Sequence, residues 1–452
     1  MASRHVRPLR LRFETERPDR LTHYLFRYPA KFHPPIAAAL VKNYSKSGDL
    51  ILDPFCGSAT LLVEARALGR NGIGLDIDPV AAFIADVKTR RIGVDSLRRS
   101  TTFLMDRIKD IRRSEVAYER LQFKDISSRV FKSEMNRYKL KAPPIPNIFH
   151  WFRKYVIVDL ARLRSAIVKS RVPKTHKRFF LACFCSIIRN VSNADPVPVS
   201  GLEVTTHMRA KEKKGRIIDP IRNYMVTINR AISDQEQFQT AIVRSGTTVR
   251  IAQGDATSLG KHVRRKVDVV ITSPPYHNAV DYYRRHTLET YWLGLIDNPE
   301  QRLDLLPKYI GRARVPQSHP FLKRAELLSW FARRCESMMR KKDKGSADAF
   351  KHYAIAMQMS FSKISKALRR NGKAVFVLGK SSWNGRKLPT IKLFEELAAP
   401  HFKLSEHLWY PLKNRYMTYS RHNKANIDRD HVLVFVRSPR RGRSGRRFKK
   451  TK

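Results

Sequence analysis

Ser273, Pro274, Pro275 and Tyr276 sit where an apolar β-branched run ends, in the stretch "VDVVITSPPYHNAVDYYRRH" at residues 267–286. Residues 267–271 read as a buried strand. Proline cannot donate to a sheet ladder and its ring restricts the residue before it. The strand therefore stops, and the chain leaves it in a stiff, extended turn that carries a hydroxyl and an aromatic ring at its tip. Three further turns place acidic residues beside glycine or a helix start. They are Asp53-Pro54-Phe55-Cys56-Gly57-Ser58-Ala59-Thr60, the pair Asp76 and Asp78, and Gly254-Asp255-Ala256. Glycine lets backbone approach a ligand, a helix N-terminus offers free N–H groups, and carboxylates accept hydrogen bonds from ribose hydroxyls. A turn with a helix cap accounts for any one of them alone; three in succession on one sheet describe a nucleoside pocket. The chain has no GxxxxGK[ST] loop and no G-x-G-x-x-G spacing in the first turn, so this is not a phosphate pocket. An acidic residue beside a glycine turn suits a cationic, phosphate-free nucleoside. S-adenosylmethionine, with its ammonium and sulfonium groups, fits.

The elements around these turns alternate. "HPPIAAALVKNYSKSG" starts with prolines and continues with apolar positions at helical spacing, and a short strand at residues 50–52 follows. "LLVEARALG" reads as the next helix, "NGIGLDIDP" as a second strand and "VAAFIADVKTR" as a second helix. Strand–helix–strand–helix at this spacing means a parallel sheet with crossovers, whose ligands bind beyond the carboxyl ends of the strands. The rhythm breaks near residue 95. From there to about 245 the pattern is helical and rich in Arg and Lys, most clearly over 150–245, with "FHWFRKYVIVDLARLRSAIV" and "HKRFFLACFCSIIRNVSN". The α/β pattern resumes with "TTVRIAQGDATSL" and the 267–271 strand. "FSKISKALRRNGKAVFVLG" then supplies a helix, a glycine turn and a strand, and "FKLSEHLWYPL" and "HVLVFVRS" suggest a closing hairpin.

Charge is the strongest compositional signal in these 452 residues. Lys and Arg number 90 against 39 acidic residues, for a net +51. The last sixteen residues, "RSPRRGRSGRRFKKTK", hold nine basic side chains, and subtracting them from +51 still leaves +42. The whole body is basic, and self-repulsion of that size calls for a polyanion, with a nucleic acid the obvious partner. Four scattered cysteines exclude a disulfide framework or a zinc finger, and no metal site is expected; Cys183 and Cys185 read as core residues of an apolar helix. The N-terminus lacks an apolar signal region and no run of about 18 apolar residues exists, so a soluble, cytoplasmic, nucleoid-associated protein with no membrane span is expected.

"DPFCGSAT" followed by "TSPPY" resembles the amino-methylating DNA methyltransferases, which modify the exocyclic amine of cytosine or adenine with S-adenosylmethionine. The resemblance implies that Asp53, Phe55, Gly57, Ser58 and Thr60 bind the methionine part of the cofactor. It implies that Asp76, with Asp78 as near neighbour, holds the ribose, and that Asp255 contacts the adenine amine. "YPAKFHPP" resembles the segment that precedes the cofactor motif, with Phe32 the candidate there. Ser273, Pro274, Pro275 and Tyr276 become the catalytic residues. Hydrogen bonds from an exocyclic amine to the Ser273 hydroxyl and the Pro274 carbonyl draw it towards tetrahedral geometry and free its lone pair for in-line attack on the sulfonium methyl. The prolines hold those acceptors rigidly, and Tyr276 offers a face for the extruded base.

Serine before the prolines is similar to the cytosine-N4 group, whereas aspartate there is commoner in the adenine-N6 group. The expected fold is α/β, a Rossmann-like methyltransferase sheet with a helical insertion. Residues 1–25 form a basic arm, 26–95 the cofactor-binding half, 96–245 the helical insert and candidate target-recognition module, 246–437 the catalytic half, and 438–452 a basic tail. Double-stranded DNA is the expected substrate, and a cognate restriction endonuclease the second partner the resemblance implies. An adenine-N6 enzyme, an RNA amino-methyltransferase and a basic nucleic-acid-binding protein on an inactive methyltransferase fold are the alternatives.

Overall fold

Among the described residues, eight of ten strands build one sheet around the central apolar run. In chain order the strands are β1 (Leu9–Arg10), β2 (Leu50–Asp53), β3 (Asn71–Asp76), β4 (Val249–Gln253), β5 (Val267–Thr272) and β6 (Leu368–Leu378), then β7 (Ser381–Trp383), β8 (Arg386–Leu388), β9 (Phe402–Pro411) and β10 (Arg429–Arg437). The sheet order is β1-β9-β10-β6-β5-β2-β3-β4, with β7 and β8 forming a separate ladder. Strands β4, β3, β2, β5 and β6 pair in parallel, and β10 runs antiparallel between β6 and β9. The computed structural model describes residues 7–13, 21–196, 201–242, 246–277, 280–379, 381–383, 386–412 and 429–438.

Both faces of the central strands β2 and β5 are covered, which is why they are rich in Val, Ile and Leu. On one face Ile51, Val269, Ile271 and Val375 pack against Ile36 and Leu40 of helix α1 (Pro34–Tyr44) and Leu61 of α2 (Thr60–Ala67). On the other, Leu50, Leu52, Val270 and Phe376 pack against Phe350, Ile355 and Phe361 of the helix Lys344–Ala367. Helix α3 (Pro79–Thr89) follows β3. The chain runs outward from β2 to β3 and β4, then returns to β5 on the opposite side of β2. The switch point of this doubly wound, Rossmann-like sheet therefore lies between β2 and β5, where such folds bind ligands.

The insert is helical, as expected, and larger than its clearest stretch. Among the described residues of 94–242 there are eight helices and no strand. One apolar cluster joins Leu160, Phe180, Phe184 and Ile228 of the insert to Val80 and Phe83 of α3 and Trp292 beyond β5, so the insert shares a core with the sheet layer. Cys183 and Cys185 are buried free thiols inside it. A buried acid, Asp159, is tied to Arg113 at 3.0 Å and to the Tyr118 hydroxyl at 3.0 Å. Burial raises that carboxyl to about 7 against the pull of Arg113.

Where residues 1–25 are described, Leu9 and Arg10 pair with Leu408 and Trp409, and Leu21 and Leu25 are buried. Gly372, expected in a turn ahead of a strand, lies inside β6, at a bulge where Asn371 takes a left-handed φ of +59°. Residues 439–452 of the basic tail lie outside the described residues. The β9–β10 hairpin forms as expected.

Candidate active site

The carboxyl ends of β2, β3, β4 and β5 open into one cavity. Phe32, Asp53, Phe55, Gly57, Ser58, Thr60, Asp76, Asp255, Ser273, Pro274, Pro275 and Tyr276 all line it, so every site residue expected from sequence except Asp78 shares one space.

The turn between β2 and α2 is tightly folded. Gly57 adopts φ +49° and a Cβ there would come within 2.9 Å of the Tyr28 ring, so backbone conformation and space both require glycine. Ala59 follows at φ +59°, a strained choice for a residue with a side chain. As N-cap of α2 it offers no side-chain acceptor, so the first amides of that helix are left for water or a ligand. Beside them Thr60 Oγ1 is buried and, among the described residues, has no hydrogen-bond partner. The amide of Gly57 donates to Asp76 Oδ2 at 2.8 Å and that of Asp78 to Asp76 Oδ1 at 2.9 Å. Asp53 accepts on Oδ1 from Phe55 N at 3.2 Å and from the Thr272 hydroxyl at 2.6 Å. Burial pushes Asp53 and Asp76 each up to about 7; Thr272 and the Phe55 amide oppose the rise at Asp53, while the negative charge of Asp78 adds to it at Asp76.

Asp78 stands apart. Its Oδ1 caps α3, accepting from Val80 N at 2.8 Å and Ala81 N at 3.1 Å, and its Oδ2 lies 2.8 Å from His286 Nδ1. The His286 pairing and the helix amides outweigh burial and lower its pKa. Its position beyond the cavity wall follows from chain geometry: two residues after the end of β3, the chain has already turned into α3. Asp255 lines the cavity while also capping a short helix, its Oδ1 accepting from Thr257 N at 2.7 Å.

The turn after β5, Ser273 to Tyr276, is equally constrained. The Ser273 hydroxyl donates to the Val377 carbonyl at 3.3 Å, which commits its proton and leaves its oxygen as an acceptor. The Pro275 carbonyl is taken by the Tyr353 hydroxyl at 3.2 Å, whereas among the described residues none donates to the Pro274 carbonyl. Tyr276 lies over Gly379, where a Cβ would approach the ring to 3.0 Å, and its hydroxyl is within reach of Ser273 and the Gly379 amide. Its ring edge is therefore packed against β6 while it contributes to the cavity wall.

Sequence reasoning missed Tyr28, Tyr282 and Tyr309, which also line the cavity. Tyr28 and Tyr282 stack with centroids 5.6 Å apart, joining the segment before α1 to the segment after the catalytic turn. Tyr28 lay within "YPAKFHPP"; the run of aromatics at 282–309 has no local signal.

Residues 10–86 match a family model described as DNA methylase. The chain is 23% identical over 367 residues to a Type II methyltransferase of Methanocaldococcus jannaschii, covering 65% of this chain and 66% of that one. It is 26% identical over 298 residues to a Type II methyltransferase of Kocuria varians, covering 63% and 60%. A short segment of 55 residues is 47% identical to a tRNA (guanine(10)-N2)-dimethyltransferase of Methanothermobacter thermautotrophicus, covering 12% of this chain and 16% of that one. The match to the first two relatives thus spans somewhat less than two thirds of their own length. The family match and these relatives bear out the resemblance to the amino-methylating DNA methyltransferases read from the motifs, at the level of that family and not of its cytosine-N4 group.

Proposed function

We propose that the protein is an S-adenosylmethionine-dependent methyltransferase acting on an exocyclic amine of a DNA base, with cytosine N4 as the acceptor. One observation carries the reading: the Ser273 oxygen and the unbonded Pro274 carbonyl share a cavity with the acidic turns of β2 and β3. When bound, the cofactor supplies a methyl group activated on a sulfonium.

The residues suit that ligand. Thr60 Oγ1 and the uncapped amides of α2 offer donors to a carboxylate. Asp53 keeps Oδ2 clear of its two bonds to Oδ1, and so can face an ammonium. Asp76 suits a ribose diol, Asp255 an adenine amine, and Phe32 and Phe55 form apolar walls. On the other side, Ser273 and Pro274 accept the two N–H bonds of the incoming amine, and the prolines and Tyr353 hold those acceptors still. Cys56 does not act as a nucleophile, because burial and the neighbouring Asp76 raise its thiol well above the ordinary range. A base within a duplex cannot reach this cavity, so it is flipped out.

The net charge of +51 suits a DNA backbone, and Arg209, Lys211 and Lys213 stand exposed on the insert helix Thr206–Lys213. Similarity to Type II methyltransferases supports a restriction endonuclease as functional partner. The test is transfer of tritiated methyl groups to DNA and, in parallel, to RNA. DNA labelling supports the proposal; labelling of RNA alone replaces DNA with RNA as substrate; no labelling of either overturns it.

A further inference from the structure

Lys88, near the C-terminal end of α3, is fully buried. Among the described residues no carboxylate pairs with it. Its ε-amine donates to the Ser58 carbonyl at 2.6 Å and lies 3.5 Å from Ser58 Oγ. Burial of a lysine without an acid is costly, and burial together with the nearby Lys31 lowers its pKa well below the ordinary lysine range. The bond falls on the middle of the cofactor turn: Ser58 lies between Gly57 at φ +49° and Ala59 at φ +59°, and Ala59 is the N-cap of α2. The peptide plane that carries the Ser58 carbonyl also carries the Ala59 amide, which donates to Cys56 O at 2.7 Å. Fixing that plane fixes where α2 begins, and with it the uncapped amides and the Thr60 hydroxyl that face the cavity. A second tie holds the same residue, since the Thr22 hydroxyl donates to the Lys88 carbonyl at 2.8 Å.

We propose that Lys88 is a positioning residue of the cofactor site, its ε-amine holding the Ser58 carbonyl so that the left-handed turn presents the N-terminus of α2 to the ligand's carboxylate. This inference rests on the reading of the cavity as an S-adenosylmethionine site. It makes a distinctive demand: replacing Lys88 relieves a buried polar group while loosening the turn, so ligand affinity and fold stability move in different directions.

The test compares wild type, Lys88→Met and Lys88→Gln by calorimetric titration with S-adenosylmethionine and by thermal melting of the ligand-free proteins. Lys88→Met is expected to weaken binding about tenfold, the scale of one lost hydrogen bond, while the ligand-free melting temperature holds or rises. Lys88→Gln, which keeps a donor, is expected to fall between the two. Methyl transfer at saturating cofactor is expected to stay near the wild-type rate in both variants. Affinity of Lys88→Met within about twofold of wild type overturns the proposal. A lowered melting temperature or failure to fold in both variants also overturns it, because the lysine then serves the fold. Wild-type protein that does not bind S-adenosylmethionine overturns the functional reading and this inference with it, whereas wild-type binding with unaltered variants overturns this inference alone.

Discussion

The hydroxyl of Thr272 donates to Oδ1 of Asp53 at 2.6 Å, fully buried, across the switch point of the sheet. Thr272 ends the strand that leads into the Ser273–Tyr276 turn proposed as catalytic, and Asp53 ends the strand that leads into the Pro54–Ala59 turn proposed to bind cofactor. Thr272→Val keeps the shape and removes the donor. Losing a hydrogen bond to a carboxylate costs about 1.5–3 kcal/mol, so the Asp53 carboxyl should titrate still higher and cofactor affinity at neutral pH should fall. Calorimetric titration checks this; unchanged affinity would separate the two turns energetically.

Cofactor binding should depend on pH in a stated direction. Asp53 and Asp76 each sit at about 7 in the ligand-free protein, raised mainly by burial. The folded protein therefore binds more protons than the unfolded chain between roughly pH 4 and 7, and these two groups oppose folding increasingly as pH rises through that window. A cationic ligand favours the ionised carboxylates, so affinity should rise from about pH 6 to about pH 8, with proton release on binding below neutrality. Titrations in buffers of different ionisation enthalpy measure that release. Asp53→Asn should flatten the profile.

Asp76→Ala should weaken cofactor binding by about 1–3 kcal/mol through loss of a hydrogen-bonding carboxylate. The variant also removes the acceptor for the Gly57 and Asp78 amides, so melting of the ligand-free protein must be followed alongside. Asp78→Ala should act mainly on stability, because its oxygens serve the α3 cap and His286.

Much of this site was legible because each residue type was tied to a local backbone event. The prolines had to end β5, Gly57 marked a turn where backbone can come close to a ligand, and Asp53 and Asp76 each close a short apolar strand. Asp78 does not line the cavity as Asp76 does, because two residues after β3 the chain has turned into α3 and the Asp78 side chain caps that helix. Lys88 and Tyr282 carry no local pattern: their positions depend on how α3 and the segment after β5 pack against the cofactor turn. The helical character of the insert was legible from its period, but its shared core with α3 was not, because that contact is between elements distant in sequence.

DNA affinity should fall steeply with salt, by about 0.9 in log K per phosphate neutralised for each decade of salt. Neutral replacements at Arg209, Lys211 and Lys213, all exposed on one insert helix, should weaken DNA binding and lower that slope while leaving cofactor affinity intact. Filter binding across a salt series checks it. Unchanged DNA affinity would move backbone contacts to another surface.

The central claim concerns an amine held by Ser273 and Pro274 beside Tyr276. Removing the ring should cost about 1–3 kcal/mol of base stacking, and Ser273→Ala should lower the rate while cofactor binding persists. The direct measurement is mass spectrometry of nucleosides from DNA incubated with S-adenosylmethionine and wild-type, Ser273→Ala or Tyr276→Ala protein. The account predicts N4-methylcytosine from the wild type and a sharp loss of it in both variants. N6-methyladenine would keep the mechanism and replace the base; 5-methylcytosine, or full activity in Tyr276→Ala, would contradict the mechanism itself.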